Sequence, residues 1–404
     1  MKSSRGIALM MVISSIMLLS MIVLEFVFSS NVSYKLALNE KERLQAYFLA
    51  ESALNLMKIE LKIDRQLKSA ISSSPIAQNL PIDLSMPMCQ QFPFSTGLIR
   101  AFFVGGAMPL MKGKEGGEEE KSKSATVFET ESAEEFLSFD GDFDGSCADE
   151  QGKFNLNYFA GLDPMQQTLS GVNPYDMYKI TLINFLKGEK FKKLFEGMEQ
   201  QKIAEIVRNI ADWTDKNDII NDIGLVTLGQ EGSLYKGENA PKNVKFLSLD
   251  EVHMVEGVDD RWFTPIEDMF TVYGENKINV CVADDDVVWA LIVAYASQNP
   301  NIPPLDPKNL ETKKKFVDAL KLSCGGTQPQ ASKIASDLDA ALGITSAEGS
   351  GGGGKFAEMI TTEARYYSLK LTGQVGETVV NIKTVLDIKD PDPKKWKMLY
   401  YKVF

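Results

Sequence analysis

The chain begins with a short basic segment followed by a long apolar one. No charged residue occurs from 7 to 24, and the apolar run resumes at 26–28 after Glu25. A run of about 20 apolar residues is long enough to cross a bilayer core as a helix. Lys2 and Arg5 precede the run, which predicts a cytoplasmic N-terminus with the rest of the chain outside. We therefore predict a membrane helix over 7–30; an uncleaved signal anchor is one interpretation of it.

The helical pattern continues beyond the predicted membrane segment. Apolar residues recur at helical spacing from about 32 to 67, and neither Gly nor Pro interrupts the chain there before Pro75. These apolar positions are Leu36, Leu44, Phe48, Leu54, Met57 and Leu61. The pattern predicts one long helix whose outer half, 31–70, is amphipathic and needs a sheet or a partner to cover its apolar stripe.

The remaining chain alternates between strand-like, helix-like and loop-like patterns. Strands are predicted at 98–104 and 125–130, and loops at 72–94 and 112–123. Helices are predicted at 178–211, 286–297 and 313–322, followed by a flexible glycine linker at 349–354. Segments rich in Val, Tyr, Thr and Leu, which predict a three-stranded antiparallel meander, lie at 364–372, 378–388 and 397–404.

Composition and charge argue against several classes of function. The chain has 404 residues, of which 44% are hydrophobic and 24% charged, as in a globular protein of two or three modules. Its net charge of −12 disfavours binding to a phosphate backbone. A single histidine, His253, disfavours His-based catalysis, and the motifs of common enzymes are missing. We predict that the protein is not an enzyme, with a carboxylate-based glycoside hydrolase as the alternative.

The cysteines predict disulfide bonds in an exported domain. Their positions are Cys89, Cys147, Cys281 and Cys324, and no two form a CxxC pair. An even count permits two disulfides, and the sequence leaves three pairings open. Free buried cysteines are the alternative.

Two acidic segments are candidate calcium sites, because hard oxygen ligands at close spacing suit this cation. The first is Asp140, Asp142 and Asp144, which alternate with Gly and Phe and are followed by Asp149. The full calcium-loop pattern needs Glu at its twelfth position, where this chain has Gln151. The alternative for this segment is an acidic turn without a metal.

The second segment supplies Asp212, Asp215, Asn217 and Asp218 in one polar stretch. These residues are candidate calcium ligands, and helix capping or simple solvation are the alternatives.

The N-terminus resembles that of a type IV prepilin. A short basic leader, 1–6, ends in Gly6 and is followed at once by the apolar helix. The resemblance implies that a prepilin peptidase cuts between Gly6 and Ile7. Most such proteins carry Glu at the fifth mature position, where this chain has Met11. Lack of that Glu is typical of the general secretion pathway protein K family, the large minor pseudopilins of type II secretion.

Further segments resemble that family. Residues 149–157 (Asp-Glu-Gln-Gly-Lys-Phe-Asn-Leu-Asn), the Asp-Trp-Thr-Asp run from Asp212 and the Lys-Ile-Asn-Val run at 277–280 are similar to its motifs. The chain departs from the family at Cys281, where pairing with Cys324 is one alternative. A capping box at Ser248 and Glu251 and a glycine at Gly257 predict a helix-hairpin-helix unit.

The charge of that hairpin decides how the unit is interpreted. It carries Glu256, Asp259 and Asp260, which would repel a phosphate. We interpret the unit as structural and sterile-motif-like, as the resemblance to the family's inserted domain implies, with DNA binding as the alternative.

The resemblance implies an α+β fold, in which a pilin-like long helix packs on an antiparallel sheet that carries a large inserted helical domain. The implied segments are a leader at 1–6, a membrane helix at 7–30, its outer part at 31–70, sheet at 71–153, the insert at 154–324, a linker at 325–355 and C-terminal strands at 356–404. The family's role is that of a methylated inner-membrane pseudopilin with a periplasmic domain, at the tip of the filament that drives protein export.

The implied partners are other minor pseudopilins, prepilin peptidase, the inner-membrane secretion platform and secreted substrates; nucleic acid is not expected. Calcium is the one cofactor that the acidic segments suggest. The alternatives are a minor pilin of a type IV pilus or competence system and an uncleaved, membrane-anchored periplasmic binding protein.

Overall fold

The computed structural model describes residues 5–72, 86–91, 94–97, 139–166, 173–224, 226–235, 240–299, 302–325, 329–344 and 354–404. The predicted strands at 98–104 and 125–130 and the predicted loop at 112–123 lie outside these ranges, as does most of the loop at 72–94 and of the glycine run at 349–354.

A single helix, α1 (Arg5–Ser72), forms the first part of the chain, as its pattern predicts. Among the described residues it is the one helix long and apolar enough to cross a membrane, and its apolar window is uncovered. The apolar side chains that it buries further along are Ala46, Ala50, Ala53, Leu54, Met57 and Leu61.

The predicted apolar stripe is therefore only half covered. Leu36, Leu44 and Phe48 are exposed. Residues two positions apart point to nearly opposite sides of a helix. The sheet contacts the side of Ala46 and Ala50, so Leu44 and Phe48 point away from it.

The helix packs on a five-stranded antiparallel sheet with the order β1-β2-β9-β10-β11. These strands are β1 (Phe94–Ser95), β2 (Asp142–Asp149), β9 (Tyr366–Val375), β10 (Thr378–Asp387) and β11 (Lys397–Val403). The last three form the predicted meander. A Cβ atom at Gly373 would lie 2.0 Å from the carbonyl oxygen of Ala46, so the missing side chain permits the close contact between helix and sheet.

Between β2 and β9 the chain forms a helical insert around its own hydrophobic core. The longer helices of the insert are α3 (Pro174–Leu186), α4 (Gln200–Thr214), α6 (Asp285–Ser297), α7 (Leu310–Cys324) and α8 (Ala331–Leu342). The short helices are α2 (Met88–Gln91), which lies before the insert, and α5 (Asp260–Phe263) and α9 (Gly354–Met359) within it. The helix predicted over 178–211 is thus two helices.

Three pairs of short strands complete the insert. They are β3 (Phe154–Asn155) with β6 (Phe270–Thr271) and β7 (Ile278–Asn279) with β8 (Ile360–Thr361), both parallel, and β4 (Ile219–Asp222) with β5 (Val226–Gln230), which is antiparallel. The predicted linker at 325–355 contains α8, whose Ile334, Ala335 and Leu338 are buried in the core of the insert. The insert therefore continues past 324.

The predicted helix-hairpin-helix has a different local structure. A 3₁₀ helix (Leu249–Met254) and the one-turn α5 flank the hairpin, and Ser248 makes no side-chain cap. The carboxylate of Glu251 instead accepts hydrogen bonds from the Leu247 amide (3.0 Å) and from the indole of Trp213 (3.3 Å). The capping-box prediction is wrong, because the carboxylate ties the turn to α4 instead.

All four cysteines are paired. Cys89 bonds to Cys147, which links α2 to β2 of the sheet, and Cys281 bonds to Cys324, which links the segment after β7 to the end of α7. The alternative of free cysteines is therefore wrong. Each disulfide closes a loop within one of the two structural units, which restricts the unfolded chain.

Candidate metal centre

Three carboxylates from two elements meet inside the insert. Asp212 lies in the last turn of α4 and Asp215 is its C-cap, while Glu231 directly follows β5. Carboxylate oxygens of the three residues lie within 4.8 Å of one another. The residues are 2%, 1% and 2% exposed, respectively, so water covers almost none of this charge.

The local sequence explains this convergence. Ile203, Ile206, Val207 and Ile210 anchor α4 in the core of the insert, and its polar end then carries the two aspartates. The β4–β5 hairpin turns at Gly224, which has a φ of +85°, and returns the chain to the end of α4. The amide of Glu231 donates to the carbonyl oxygen of Asp218 (3.1 Å) and closes the hairpin.

Hydrogen bonds satisfy only part of the cluster. The Tyr175 hydroxyl donates to Asp215 Oδ2 (2.8 Å) and to Asp212 Oδ1 (3.3 Å). The side chain of Asn221 donates to Asp215 Oδ2 (3.2 Å). Asp212 Oδ2 and both carboxylate oxygens of Glu231 are buried without a hydrogen-bond partner. Unpaired buried carboxylate oxygens carry a large desolvation cost, which a cation would offset.

The pKa values of the three carboxyl groups also show that burial destabilises their ionised forms. Burial, reinforced by Asp215, raises the pKa of Asp212 to about 7, and burial raises the pKa of Asp215 to about 6. Burial and the neighbouring aspartates raise the pKa of Glu231 to about 9. An all-oxygen set of carboxylates fits a hard divalent cation such as Ca²⁺.

The structure places Asn217 and Asp218 at the edge of this cluster. Asn217 Oδ1 accepts from the Ile219 amide (2.8 Å) and from the Asn221 side chain (3.1 Å), so it caps the turn into β4. Asp218 Oδ1 accepts from the Asn243 side chain (2.7 Å). The side-chain oxygen of Asn243, Oδ1, is a further buried acceptor without a partner.

Sequence reasoning missed Glu231 and Asn243. Each lies on a separate segment, outside the polar stretch that holds the aspartates. The signal that could have found Glu231 is the hairpin pattern around Gly224, which brings the residue after β5 back beside α4.

The first acidic segment does not form a calcium loop. Residues 142–149 are strand β2, in which Asp142 and Asp144 are exposed on either side of the buried Phe143. Asp140 precedes the strand. Asp149, at its end, accepts from the Gln151 amide (2.8 Å) and from the side chain of Asn279 (3.0 Å). The loop prediction is wrong because the segment pairs with β9 over its whole length.

The predicted processing residues, Gly6 and Ile7, lie in the first turns of α1 and are exposed. Met1 to Ser4 lie outside the described residues.

Comparison with known proteins defines the class of fold. No protein-family model matches the chain, and no curated protein matches its sequence. The fold is a pilin-like α+β fold, as predicted. It is similar to a solved structure described as the GspK-GspI-GspJ complex from the type 2 secretion system of enterotoxigenic Escherichia coli. The TM-score is 0.51 at 13% identity, over 90% of this chain and 98% of that one. The resemblance noted in the sequence is thus confirmed at the level of fold.

Proposed function

We propose that the protein is a minor pseudopilin of a type II secretion system. It is anchored in the inner membrane of a Gram-negative bacterium, with its sheet and insert in the periplasm. The observation that supports this most directly is α1 itself. One unbroken helix is apolar and uncovered at its start and packed on an antiparallel sheet at its end. A helix of this form can anchor a subunit and join partner helices in a filament.

Exposed apolar side chains support the proposal that other pseudopilins are partners of this chain. Leu44 and Phe48 on α1 are uncovered, and so are Val403 and Phe404 at the C-terminal edge of the sheet. The hydroxyls of Tyr47 and Tyr401 lie 3.3 Å apart, so α1 and β11 adjoin here. Exposed apolar patches mark interaction sites, and these side chains lie on two elements that meet at this point. The structure that this chain resembles is, by its description, a complex of three proteins.

Two features support a position at the filament tip. The insert carries its own core and is bulky beside the sheet, so it would obstruct a subunit stacked in line with it. At Met11 the chain lacks the buried carboxylate expected of a subunit with a neighbour above. At the tip the protein would nucleate the filament or limit its growth, and act with the inner-membrane platform and secreted substrates.

Processing by prepilin peptidase provides the first test. The protein is purified from its own membrane and its N-terminal residue is determined by mass spectrometry. We expect the chain to begin at Ile7 and to be N-methylated. A chain that still begins at Met1 in cells with active peptidase would contradict the pseudopilin and favour the anchored binding protein. Deletion that abolishes pili or DNA uptake, but not secretion, would favour the minor pilin.

We further propose that the insert binds Ca²⁺ through Asp212, Asp215 and Glu231, with Asn243 and Asp218 beside them. The unpaired buried oxygens of this cluster support the proposal. In the full-length protein in detergent, Ca²⁺ added after chelation should raise the Tm, since it binds only the folded chain, and Mg²⁺ should have much less effect. Asp212→Asn should abolish the shift, whereas Asp142→Asn, on β2, should leave it intact. A Ca²⁺ shift that survives Asp212→Asn but not Asp142→Asn would assign the cation to the first acidic segment instead.

A further inference from the structure

A buried lysine lies beneath the metal centre. Lys179 is on α3 and is 1% exposed. Its Nζ donates to the carbonyl oxygen of Asn221 on β4 (2.8 Å) and lies 3.5 Å from Asp176 Oδ1. The ammonium also lies over the ring of Tyr175, 4.4 Å from its centroid. Lysine is almost never this deeply buried unless it is paired.

The partners of Lys179 connect it to the carboxylate cluster. Asn221, whose carbonyl it holds, donates from its own side chain to Asp215. Tyr175, whose ring it covers, donates to Asp212 and Asp215. The second oxygen of Asp176 accepts from the amide of Gly224 (2.8 Å), at the turn of the hairpin. Lys179 therefore contacts two residues, Asn221 and Tyr175, that themselves donate hydrogen bonds to the carboxylates. Together with Asp176, it connects α3 to the hairpin.

The charge of Lys179 acts in opposite directions in the two states of the site. Without a metal, a positive charge near three buried carboxylates lowers the cost of burying them. With a metal, the same charge repels the cation, and in a water-poor interior this repulsion is weakly screened. A site with no resident positive charge would bind the cation more tightly and fold less well without it.

We propose that Lys179 is a built-in counter-cation that sets the calcium affinity of the metal centre. It keeps the empty site folded and weakens the bound state, which makes binding reversible. The proposal rests on the calcium site proposed above. Lys179 is a positioning and affinity-setting residue and not a ligand.

The test measures Ca²⁺ affinity by titration calorimetry and the Tm with chelator, both on the full-length protein in detergent. In Lys179→Met, which keeps the apolar stem, we expect Ca²⁺ to bind about tenfold more tightly and the Tm in chelator to fall. Lys179→Arg should restore both values toward those of the native protein. The matched control is Lys313→Met, because Lys313 pairs with a partly buried aspartate, Asp286, elsewhere in the insert (2.5 Å). It should leave the affinity unchanged.

A second variant separates charge from simple anchoring. Asp176→Asn leaves the ammonium without its carboxylate, so Ca²⁺ should bind about tenfold more weakly, opposite to Lys179→Met. If both variants weaken binding, or if Lys179→Met leaves the affinity unchanged, the inference is wrong and Lys179 only anchors the hairpin. Lys179→Met protein that folds only when Ca²⁺ is present would support it. If the native protein shows no Ca²⁺ binding, the metal centre itself is wrong, which is a separate outcome.

Discussion

The carboxylate oxygens of the proposed metal centre differ in how many hydrogen bonds the protein donates to them. Asp212 and Asp215 receive donors from Tyr175 and Asn221, which hold one oxygen of each. Glu231 is just as buried, yet neither of its side-chain oxygens has a hydrogen-bond partner. A carboxylate in this state is strongly disfavoured unless a cation or a proton neutralises it. If the proposed metal centre binds Ca²⁺, Glu231 is thus the residue whose burial favours the metal most and destabilises the metal-free protein most.

Glu231→Gln should separate these two effects. At neutral pH, folding of the metal-free chain requires Glu231, whose pKa is about 9 in the folded state, to take up a proton, and glutamine has no such requirement. The substitution should therefore raise the free energy of unfolding in chelator by about 1–3 kcal/mol at neutral pH. It should also reduce the Tm increase caused by Ca²⁺ to a small fraction. Urea unfolding with chelator and with Ca²⁺ measures both quantities.

Glu189→Gln is the control, because Glu189 is exposed and pairs with the exposed Lys192 (3.2 Å). It should change the free energy of unfolding by less than about 0.5 kcal/mol under either condition. If Glu231→Gln in chelator is less stable than the native protein in chelator, Glu231 does not destabilise the metal-free protein and the prediction is wrong.

Among the residues of the site, the sequence predicted those that are close along the chain. It missed those that the fold brings in from distant segments. Asp212 and Asp215 stand three positions apart at a helix end, so their proximity is local. Glu231 reaches them only through the β4–β5 hairpin, and Asn243 only through the segment that follows. Asp142 and Asp144 show the opposite error, since a spacing typical of a calcium loop also fits a strand with alternating exposure.

Among the elements, the contact between α1 and β9 depends on small residues from both sides. Ala46 and Ala50 on the helix face Gly373 on the strand, and a Cβ at Gly373 would lie 2.0 Å from one backbone oxygen and 2.7 Å from a backbone nitrogen. Backbone atoms of a helix cannot move aside individually, so even a methyl group must separate the two elements. The outer half of α1 would then lose burial along its length.

Gly373→Ala should therefore destabilise the sheet unit by about 2–4 kcal/mol, the range of overpacking and lost packing combined. Thermal unfolding followed by circular dichroism, with the full-length protein in detergent, measures the change. Gly161→Ala serves as the control, because its nearest neighbour to an added Cβ is a side-chain nitrogen at 4.0 Å; it should be almost neutral. If the two variants have equal stability, the close packing of helix on sheet is not what holds this unit together.

The elements that the sequence predicted well are those whose own pattern is strong. The long apolar-to-amphipathic helix and the Val- and Tyr-rich meander formed as expected, since each has the right period over many residues. The helix α8 was missed because Ala331–Leu342 is mainly Ala, Ser and Asp, with Ile334, Leu338 and Leu342 as its large apolar residues. Its stability comes from packing on α7, which is tertiary and leaves little trace in a short window.

Across the whole molecule, several polar contacts join the sheet to the insert among the described residues. Arg365 pairs with Asp387 of the sheet (2.7 Å) and with Glu275 of the insert, and Asp149 accepts from Asn279. The insert thus has a defined position on the sheet, fixed by ion pairs and by buried carboxylates. Burial raises the pKa of Asp149 at this junction to about 7, and burial together with Asp64 raises the pKa of Glu60 on α1 to about 7.

These raised pKa values, with those of the metal centre, predict how stability depends on pH. Asp149, Glu60 and the three centre carboxylates all have pKa values of about 6 to 9 in the folded chain, whereas ordinary unfolded values are near 4. Between these limits the folded chain binds more protons than the unfolded chain. Stability without metal must then fall as pH rises from about 5 to about 9.

Calcium should make this decrease in stability much smaller. The cation stabilises the ionised carboxylates of Asp212, Asp215 and Glu231 and competes with protons for them. Urea unfolding at about pH 5, 7 and 8.5, with chelator and with saturating Ca²⁺, measures the two slopes. With chelator, the free energy of unfolding should decrease at each step. With Ca²⁺ the decrease should be much smaller, and what remains should come from Asp149 and Glu60. Stability in chelator that is flat or rises over this range would show that the carboxylates are neutralised within the protein itself, which would remove the electrostatic argument for a metal.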